Sequence, residues 1–229
     1  MTEDPSGKVY LVPTPIGNMG DITLRALELL KAVDIIACED TRHSGQFLKK
    51  LDISKRLISY HDFNESSRAA QLVDEVRHGK AVAVITDAGS PGISDPAYRI
   101  VRTAIDNGIP VIPLPGANAV IPALTGSGLP TDRFFFEGFL SNKSAARKNR
   151  LAKLKELDHT LVFYESPHRI EKTVADILEV VGDRQMCLAR ELTKIHEEFI
   201  RGTASQVLAR IKTKPVKGEI VLIVSGRNS

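Results

Sequence analysis

The sequence predicts an α/β protein with two domains, and three features of the chain lead to that prediction. Apolar runs without polar alternation, such as 81–85, recur through the first half, and they are typical of strands that a parallel sheet buries on both faces. Helical patterns separate these runs, as in βαβ units. Residues 115–130 are then rich in Gly, Ala, Pro and Ser, which predicts a domain boundary. We expect a mostly parallel sheet in residues 1–116 and a mixed α/β domain in residues 117–229.

The first domain is predicted to alternate strands with helices. Strands are expected at 8–12, 34–38, 57–60, 81–85 and 111–114. One helix is expected after Asp21, which can cap it, and another from Asn64 to His78. A further helix is expected to begin at Asp95–Pro96, a typical N-cap and first-turn pair, and to end near Asn107.

The loop after the strand at 81–85 is the first candidate for a ligand site. Gly89, Pro91 and Gly92 interrupt the chain there before the next helix begins. Ligands of open α/β sheets bind at the carboxyl ends of the strands, and glycines let a ligand approach the backbone. A tight strand-to-helix connection without a ligand has the same composition, so this loop alone leaves both interpretations open.

The second domain is predicted to mix strands and helices. Strands are expected at 134–136, 160–164, 186–189 and 219–224, and helices at 118–125, 141–157, 170–181 and 204–212. The helix at 141–157 carries a run of cations without an acid between them: Lys143, Arg147, Lys148, Arg150, Lys153 and Lys155. Such a run favours contact with nucleic-acid phosphates, while an ordinary solvated helix face is the alternative.

Composition limits the class of protein. The chain has 229 residues, 42% hydrophobic and 26% charged, and its net charge of +3 permits a nucleic-acid partner without requiring one. Cys38 and Cys187 lie in apolar runs, which predicts buried free thiols in a reducing compartment. The N-terminus lacks a signal-peptide pattern, and no apolar run approaches the roughly 20 residues of a membrane span. We therefore expect a soluble, cytoplasmic protein without a membrane partner.

Common cofactor and metal motifs do not occur in the sequence. No G-x-G-x-x-G follows the first strand, no Walker A motif occurs, and no Cys/His cluster has metal-ligand spacing. Ser90 and Ser94 lack the G-x-S-x-G context of a nucleophile elbow. What remains is a polar cluster after several strands, and such clusters converge in space when the strands run parallel.

These clusters carry a resemblance to a known family. In chain order they read PTPIGN (13–18), CEDTR (38–42), SYH (59–61), TDAGSPGISDP (86–96), PLPGA (113–117), FYESPHR (163–169) and RELTK (190–194). Together they resemble the tetrapyrrole methylase-like family of S-adenosylmethionine enzymes. Within it they resemble the bacterial enzymes that methylate a ribose 2′-hydroxyl of small-subunit ribosomal RNA. The resemblance extends over residues 8–226, almost the whole chain.

The resemblance implies the tetrapyrrole methylase-like two-domain fold, with the methyl donor in the cleft between the domains. It also implies a homodimer whose acceptor is a cytidine ribose in small-subunit ribosomal RNA. We expect this RNA to be recognised within the assembled small subunit, and free RNA as the acceptor stays open. The donor-binding residues carried over are Pro15, Gly89, Ser90, Ile93, Asn118, Ala119, Tyr164, Leu192, Gly218 and Glu219. One departure stands out, because tetrapyrrole methylases usually have Gly-Asp-Pro where this chain has Gly89-Ser90-Pro91.

Transfer to a ribose hydroxyl calls for a general base or a charge stabiliser, because the hydroxyl is a weak nucleophile. We predict that Lys194 serves as base or electrostatic partner and that Glu191 orients it, while a surface ion pair between the two is the alternative. Other candidates follow the strands: Glu39, Asp40, Asp87 and Glu165. RNA contacts are predicted for Arg147, Lys148, Arg150, His168 and Arg169, although the last two also fit a helix start.

Two other functions stay open at this point. A related enzyme that methylates a tetrapyrrole or another small molecule would have the same fold but would not need the basic helix. A non-catalytic RNA-binding factor in ribosome assembly would keep the basic helix but would not need to bind S-adenosylmethionine. Scarce aromatic residues, 5% with no Trp, favour recognition of a folded ribonucleoprotein surface over a base-stacking channel.

Overall fold

The computed structural model describes residues 4–61 and 64–228. They fall into two compact units, of which the first ends at Asn118 and the second begins at Ala119. Each unit contains its own five-stranded sheet. The sequence placed the domain boundary after residue 116, inside the loop that follows the fifth strand.

Unit 1 contains a parallel sheet, as predicted. Its strands are β1 (Val9–Leu11), β2 (Ile35–Cys38), β3 (Arg56–Ser59), β4 (Val82–Val84) and β5 (Val111–Pro113). They lie in the order β3-β2-β4-β1-β5, and every pairing is parallel. All residues of β2 and β4 are buried, because helices cover both faces of the sheet, and this explains their uninterrupted apolar sequence.

Four helices flank this sheet: α1 (Leu24–Ala32), α2 (Thr41–Lys49), α3 (Glu65–Arg77) and α4 (Ala97–Asp106). Alternate strand residues belong to different core clusters. Val9 and Ile35 pack with residues of α3 and α4 on one face. Tyr10 and Ile36 pack with residues of α1 and α2 on the other. The two helix pairs therefore sandwich the sheet, which leaves the strand ends to carry polar loops.

The start of α1 differs from the prediction. Thr23 is the N-cap, and its hydroxyl accepts a hydrogen bond from the amide of Ala26. Asp21 instead ends a short 3₁₀ turn that starts at Met19. Asn18 caps this turn by accepting from the amide of Gly20, so the turn occupies the position where the sequence predicted a helix cap.

Helix α2 was not predicted, because the polar cluster after β2 was interpreted as a loop. Asp40 is the N-cap, and its carboxylate accepts hydrogen bonds from the amides of Arg42 and His43. Only Ser44 and Leu48 of this helix are buried, and Gly45, a weak helix former, lies at its middle. Such a narrow apolar face gives little periodic signal in the sequence. The cluster is therefore the first turn of a helix.

Asp95 stabilises the start of α4 from one position further out than predicted. The N-cap residue itself is Pro96. The Asp95 carboxylate accepts from the amide of Ala97 and also from the amide of Gly92, at 2.8 and 2.7 Å. One side chain therefore caps the helix and closes the glycine loop before it.

Unit 2 contains a mixed sheet, as predicted. Its elements are α5 (Val120–Ser127), β6 (Phe134–Phe139), α6 (Ser144–Leu154), β7 (Thr160–Glu165), α7 (Ile170–Val180), β8 (Gln185–Arg190), β9 (Glu198–Thr203), α8 (Ala204–Thr213) and β10 (Ile220–Val224). The strand order is β6-β7-β10-β8-β9; β6 and β7 pair in parallel and the other pairs are antiparallel. Strand β9 was missed because it lies at the sheet edge and has no continuous buried run.

The cysteines, membrane spans and metal ligands considered in the sequence can also be examined in this fold. Cys38 and Cys187 are buried free thiols, as expected from their apolar surroundings. Within residues 4–61 and 64–228, no helix has both the length and the apolar character needed to cross a bilayer. The same ranges hold no group of three or more His, Cys, Asp or Glu side chains placed to bind a metal ion.

Candidate functional site

The loops at the carboxyl edge of the unit 1 sheet are joined by side-chain hydrogen bonds. The Thr14 hydroxyl, after β1, donates to the carbonyl of Thr86, after β4, at 3.0 Å. The Thr86 hydroxyl in turn donates to the carboxylate of Glu39, after β2, at 2.5 Å. The ends of three neighbouring strands are thus tied together. The convergence expected from parallel strands is present in unit 1.

The glycine loop folds back on the first loop through its backbone. Thr14 and Gly89 exchange two backbone hydrogen bonds, at 2.9 and 3.0 Å. Gly89 has a φ of 92°, which favours glycine, and a β-carbon there would lie 3.4 Å from Cγ2 of Ile16. The Ser90 hydroxyl donates to the carbonyl of Ala117 at 2.9 Å. The loops after β1, β4 and β5 therefore form one connected surface.

A close approach of the backbone to a proline ring explains a second glycine. A β-carbon at Gly116 would lie 2.6 Å from Cβ of Pro13, nearer than non-bonded carbons approach. Only glycine at this position lets the loop after β5 pack against the loop after β1. Glycines at 89 and 116 are thus required by packing in unit 1.

Four predicted donor-binding residues cluster on this surface: Pro15, Gly89, Ser90 and Asn118. The Cα of Asn118 lies 3.9 Å from the position of a β-carbon on Gly89. Pro15 lies between Thr14 and Ile16, which both contact Gly89. Ile93 belongs to the same loop and is 44% exposed. The structure therefore brings together the unit 1 part of the predicted set.

Tyr164 of β7, in unit 2, lies in an aromatic cluster. Its ring packs against Phe136 and Phe139, with centroids 4.9 and 5.5 Å apart. Burial raises the pKa of the Tyr164 hydroxyl to about 12. The hydroxyl stays protonated at neutral pH and is available as a hydrogen-bond donor.

Ala119, also of unit 2, is the N-cap residue of α5. The other donor-binding and catalytic residues predicted in unit 2 form a cluster around Lys194. Its Nζ lies 3.0 Å from Oε1 of Glu191 and 2.8 Å from Oε2 of Glu219. The Glu191 carboxylate also accepts from the Glu219 amide at 3.1 Å. Glu191 and Thr193 have positive φ, and a β-carbon on Gly218 would overlap the Glu191 side chain. This compact turn places Glu191, Leu192, Lys194, Gly218 and Glu219 together.

The environment of Lys194 disfavours one of its two predicted roles. Burial acts to lower its pKa, but the hydrogen bonds to Glu219 and Glu191 outweigh burial and raise the pKa above the ordinary 10.5. Burial acts to raise the pKa of Glu191, and the bonds from Lys194 and Glu219 outweigh it in the same way and lower that pKa. Lys194 is therefore held as a cation beside two carboxylates, which disfavours a role as general base. Its predicted role as an electrostatic partner remains.

The pH dependence of stability provides a test of this pair. Glu191 has a lowered pKa when folded, so its contribution is present above its ordinary 4.5 and is lost as pH falls through the lowered value. Lys194 has a raised pKa, so its contribution is present below 10.5 and is lost as pH rises through the raised value. Lys194→Met is expected to lower the free energy of unfolding. The loss should not vary with pH around neutrality, and it should become smaller at acidic pH as Glu191 is protonated.

Urea unfolding of wild type and Lys194→Met at a series of pH values measures this difference. Lys172→Met, on the exposed face of α7, is the control, and its effect should be small at every pH. A Lys194 effect that persists unchanged after Glu191 is protonated would show that the ion pair does not stabilise the fold.

The basic helix α6 is less available to RNA than the sequence predicted. Arg147 is 2% exposed, and its guanidinium lies 2.6 Å from the carboxylate of Asp176 in α7. It shares the buried face of α6 with Leu151 and Leu154, at spacings of one and two helical turns. That spacing is visible in the sequence and could have identified Arg147 as interior. Arg147 is therefore a buried structural cation, and its predicted RNA contact is withdrawn.

The other predicted RNA-contacting residues stand in different surroundings. Lys148 pairs with Glu179 at 2.6 Å, and Arg150 pairs with Glu137 at 2.6 Å. Arg169 donates to the buried carboxylate of Glu165 at 2.8 Å and to the carbonyl of Leu140. His168 is exposed at the turn before α7. Of this group, His168 is the residue whose side chain points to solvent without being committed to an acid in the described contacts.

One pair at the carboxyl edge of unit 1 was missed by the sequence analysis. Nδ1 of His43, in the first turn of α2, lies 3.3 Å from Oδ1 of Asp87, which follows β4. Asp87 had been considered, but His43 had not, because α2 was not predicted. The direction of the His43 side chain follows from that helix.

Comparison with known proteins identifies the family. Residues 8–208 match the family model described as Tetrapyrrole (Corrin/Porphyrin) Methylases. Proteins named ribosomal RNA small subunit methyltransferase I are 49% identical in Micromonospora olivasterospora, 47% in Escherichia coli O157:H7 and 45% in Bacillus subtilis. The alignments cover 98%, 99% and 97% of this chain and 72%, 80% and 76% of those proteins.

Solved structures agree on the fold. A diphthine synthase superposes with a TM-score of 0.73 at 14% identity, covering 95% of this chain and 89% of the other. A uroporphyrin-III C-methyltransferase from Thermus thermophilus, complexed with S-adenosylhomocysteine, has a TM-score of 0.64 at 20% identity, covering 94% and 96%. At these identities the likeness concerns the fold alone. The family match and the near-full-length relatives confirm the resemblance found in the strand-end motifs: this chain belongs to the tetrapyrrole methylase family.

Proposed function

We propose that this chain is an S-adenosylmethionine-dependent methyltransferase that acts on small-subunit ribosomal RNA. The observation that carries the proposal is the 45–49% identity, across nearly the whole chain, to proteins named for that activity. In detail, the acceptor is the 2′-hydroxyl of a cytidine ribose within the assembled small subunit, and the enzyme works as a homodimer in the cytoplasm. Analytical ultracentrifugation of the purified chain tests the homodimer, which should sediment at the mass of two copies.

The loops of unit 1 fit S-adenosylmethionine as the methyl donor. S-adenosylmethionine has no phosphate, so it needs neither a Walker A loop nor a phosphate site at a helix N-terminus. Backbone groups around Gly89 and Ser90 can meet the adenosine and the amino-acid end. The loops at 13–18 and 86–96 contain no Lys or Arg that would repel the sulfonium. These loops therefore suit a cationic, phosphate-free ligand.

The proposed donor contacts follow the clusters that each unit contains. In unit 1 they are Pro15, Gly89, Ser90, Ile93 and Asn118, and in unit 2 they are Ala119, Tyr164, Leu192, Gly218 and Glu219. In the cluster around Lys194, Glu191 and Glu219 place two carboxylates on one ammonium, so its net charge is negative. We assign Glu191 and Lys194 an electrostatic role, which favours a bound cation and needs no change of their protonation.

Transfer of a labelled methyl group tests the function. S-adenosylmethionine with a labelled methyl is incubated with the chain and, in parallel, with unmodified small ribosomal subunits, naked ribosomal RNA and a tetrapyrrole precursor. Label in a cytidine ribose of the assembled subunit is the expected result. Label in the tetrapyrrole alone would overturn the acceptor and keep the reaction class. No label and no donor binding would favour a non-catalytic assembly factor.

The RNA-contacting surface proposed here is the α6 face, defined as Lys143, Lys148, Arg150 and Lys153, together with His168. Lys143 and Lys153 are exposed, and neither belongs to the buried side of the helix. Arg169 is proposed to hold the turn that presents His168, since its guanidinium is bonded to Glu165 and Leu140. Arg147 is not part of this surface.

Salt dependence distinguishes phosphate contacts from ordinary solvated charges. Replacing Lys143 and Lys153 together by Gln is expected to reduce the slope of log affinity against log salt by about 2, roughly one for each lost phosphate contact. Binding to small subunits is measured across a salt series. Lys212→Gln, on the exposed side of α8, should leave the slope unchanged. An unchanged slope in the double variant would make the α6 face an ordinary solvated surface.

A further inference from the structure

The His43–Asp87 pair joins two elements at the edge of the unit 1 sheet where the loops converge. The distance from Nδ1 of His43 to Oδ1 of Asp87 is 3.3 Å. The backbone of His43 is held in the first turn of α2, because the Asp40 carboxylate accepts a hydrogen bond from the His43 amide as part of the helix cap. Both side chains are partly open to solvent, with 57% and 44% of their surfaces exposed. A substrate at this edge can therefore reach the imidazole ring.

Asp87 lies after β4, between residues that are held in place by hydrogen bonds. The preceding residue, Thr86, donates to Glu39 at 2.5 Å and accepts from Thr14 at 3.0 Å. Two residues beyond Asp87, the backbone of Gly89 is bonded to Thr14 at both its amide and its carbonyl. The carboxylate thus stands between two anchored positions, directly beside the loop proposed to hold the donor.

A second His–Asp pair in the same unit shows what an ordinary surface pair looks like. His78 and Asp74 are one turn apart at the end of α3, 3.7 Å from each other and 73% and 66% exposed. That pair lies where α3 leads into β4, at the amino end of the sheet. The His43–Asp87 pair instead spans two elements, is shorter and less exposed, and lies at the edge where parallel sheets bind their ligands.

The reaction proposed above still needs a proton acceptor, because Lys194 is held as a cation. Histidine is the side chain whose ordinary pKa lies nearest neutrality, and a carboxylate facing one ring nitrogen leaves the other free to accept a proton. His43 and Asp87 form such an arrangement beside the glycine loop. Nε2 of His43 is the nitrogen that does not face Asp87.

We propose that His43 is the general base of the methyl transfer and that Asp87 is its positioning residue. This inference rests on the proposed function. Asp87 holds the neutral imidazole with its proton on Nδ1. The 2′-oxygen–hydrogen bond breaks and the proton passes to Nε2 of His43; the oxygen forms a bond to the methyl carbon as the carbon–sulfur bond breaks, with its electron pair remaining on sulfur. The proton leaves His43 to solvent afterwards.

Kinetics of four variants test the proposal. His43→Gln is expected to lower kcat by about 10²- to 10⁴-fold, with KM for S-adenosylmethionine and for small subunits unchanged. Asp87→Asn should lower kcat less, again without a change in KM, because the base remains but is no longer oriented. Added imidazole should restore part of the activity of His43→Ala and none of that of Asp87→Asn. His78→Gln is the matched control and should behave as wild type.

A readout without turnover tests the pair in the protein alone. In the chain labelled at histidine, ¹⁵N chemical shifts report which ring nitrogen carries the proton, and His43→Gln identifies the resonances of His43. The expected tautomer of neutral His43 has its proton on Nδ1, and Asp87→Asn should abolish that preference. Affinity for S-adenosylhomocysteine, measured by calorimetry, should be equal in wild type and in both variants.

Each outcome bears on one of the two proposals. Wild type that methylates no ribosomal RNA would overturn the proposed function. Active wild type together with full activity of His43→Gln would overturn the role of His43 and leave the function standing. Two other results would also overturn the assignment, because each would indicate a structural contact. One is a loss of activity in His43→Gln that is accompanied by weaker binding of S-adenosylhomocysteine, and the other is a neutral His43 protonated on Nε2.

Discussion

Replacing Arg147 by alanine is expected to lower the free energy of unfolding by about 3–5 kcal/mol. The side chains of Arg147 and Asp176 are 3% and 10% exposed, and two guanidinium nitrogens contact one carboxylate oxygen, at 2.6 and 2.7 Å. Removing the cation leaves a carboxylate in the interior with the hydroxyl of Ser144 and the ammonium of Lys148 as its remaining partners. A buried charge that loses its main partner costs far more than a missing surface pair.

Urea unfolding measured by circular dichroism, with hydrogen exchange of α7 amides to report on unit 2, provides the test. Lys153→Ala is the matched control from the exposed side of α6, and its loss should stay below about 1 kcal/mol because this side chain lies in solvent. The double variant Arg147→Met with Asp176→Leu should recover most of the loss, since no buried charge remains. Equal, small losses for Arg147→Ala and Lys153→Ala would contradict the isolation of the Arg147–Asp176 pair from water.

A comparable effect is expected from Glu165→Ala. The Glu165 side chain is fully buried at the end of β7, and its carboxylate accepts from the Arg169 guanidinium, the Thr173 hydroxyl and the Ser166 amide, at 2.8, 2.6 and 2.7 Å. Alanine would leave these three donors without their shared acceptor. We expect a loss of about 3–5 kcal/mol of unfolding free energy, most of it from the partly buried Arg169 cation.

Two companion variants separate charge from shape at this position. Glu165→Gln keeps an acceptor of the same size but removes the charge, so its loss should be smaller, about 1–3 kcal/mol. Glu171→Ala, in the exposed first turn of α7, should cost less than about 1 kcal/mol. Thermal and urea unfolding of the three variants measure these differences. If Glu165→Ala were no more destabilising than Glu171→Ala, the turn between β7 and α7 would not depend on this carboxylate.

These two clusters show why charge is difficult to interpret from sequence. The motif FYESPHR was recognised correctly as part of a family signature, but two of its charged residues, Glu165 and Arg169, bind each other inside unit 2. Arg147 belonged to a run of cations that suggested a surface for RNA. In both cases the partner is distant in the chain or lies across a turn, and a sequence does not state which charges meet.

Secondary structure was predictable where burial is uniform. Strands β2 and β4 are buried on both faces, so their sequences are continuous apolar runs that can be recognised without neighbours. Helix α2 and strand β9 were missed because α2 buries only a narrow face and β9 lies at a sheet edge. Their structure depends on contacts with the rest of the unit, which supply the stability that local sequence does not.

The sequence by itself determined the fold class, the order of the polar loops and the family, because each depends on local patterns: apolar runs, glycine-rich turns and motifs at strand ends. Only the tertiary structure decided the protonation and the partners of the charged residues. It surrounds Lys194 with two carboxylates, buries Arg147 against Asp176 and brings His43 to Asp87. The physical reason is that a pKa and an ion pair depend on burial and on distances between groups far apart in the chain, whereas a strand or a turn depends mainly on its own residues.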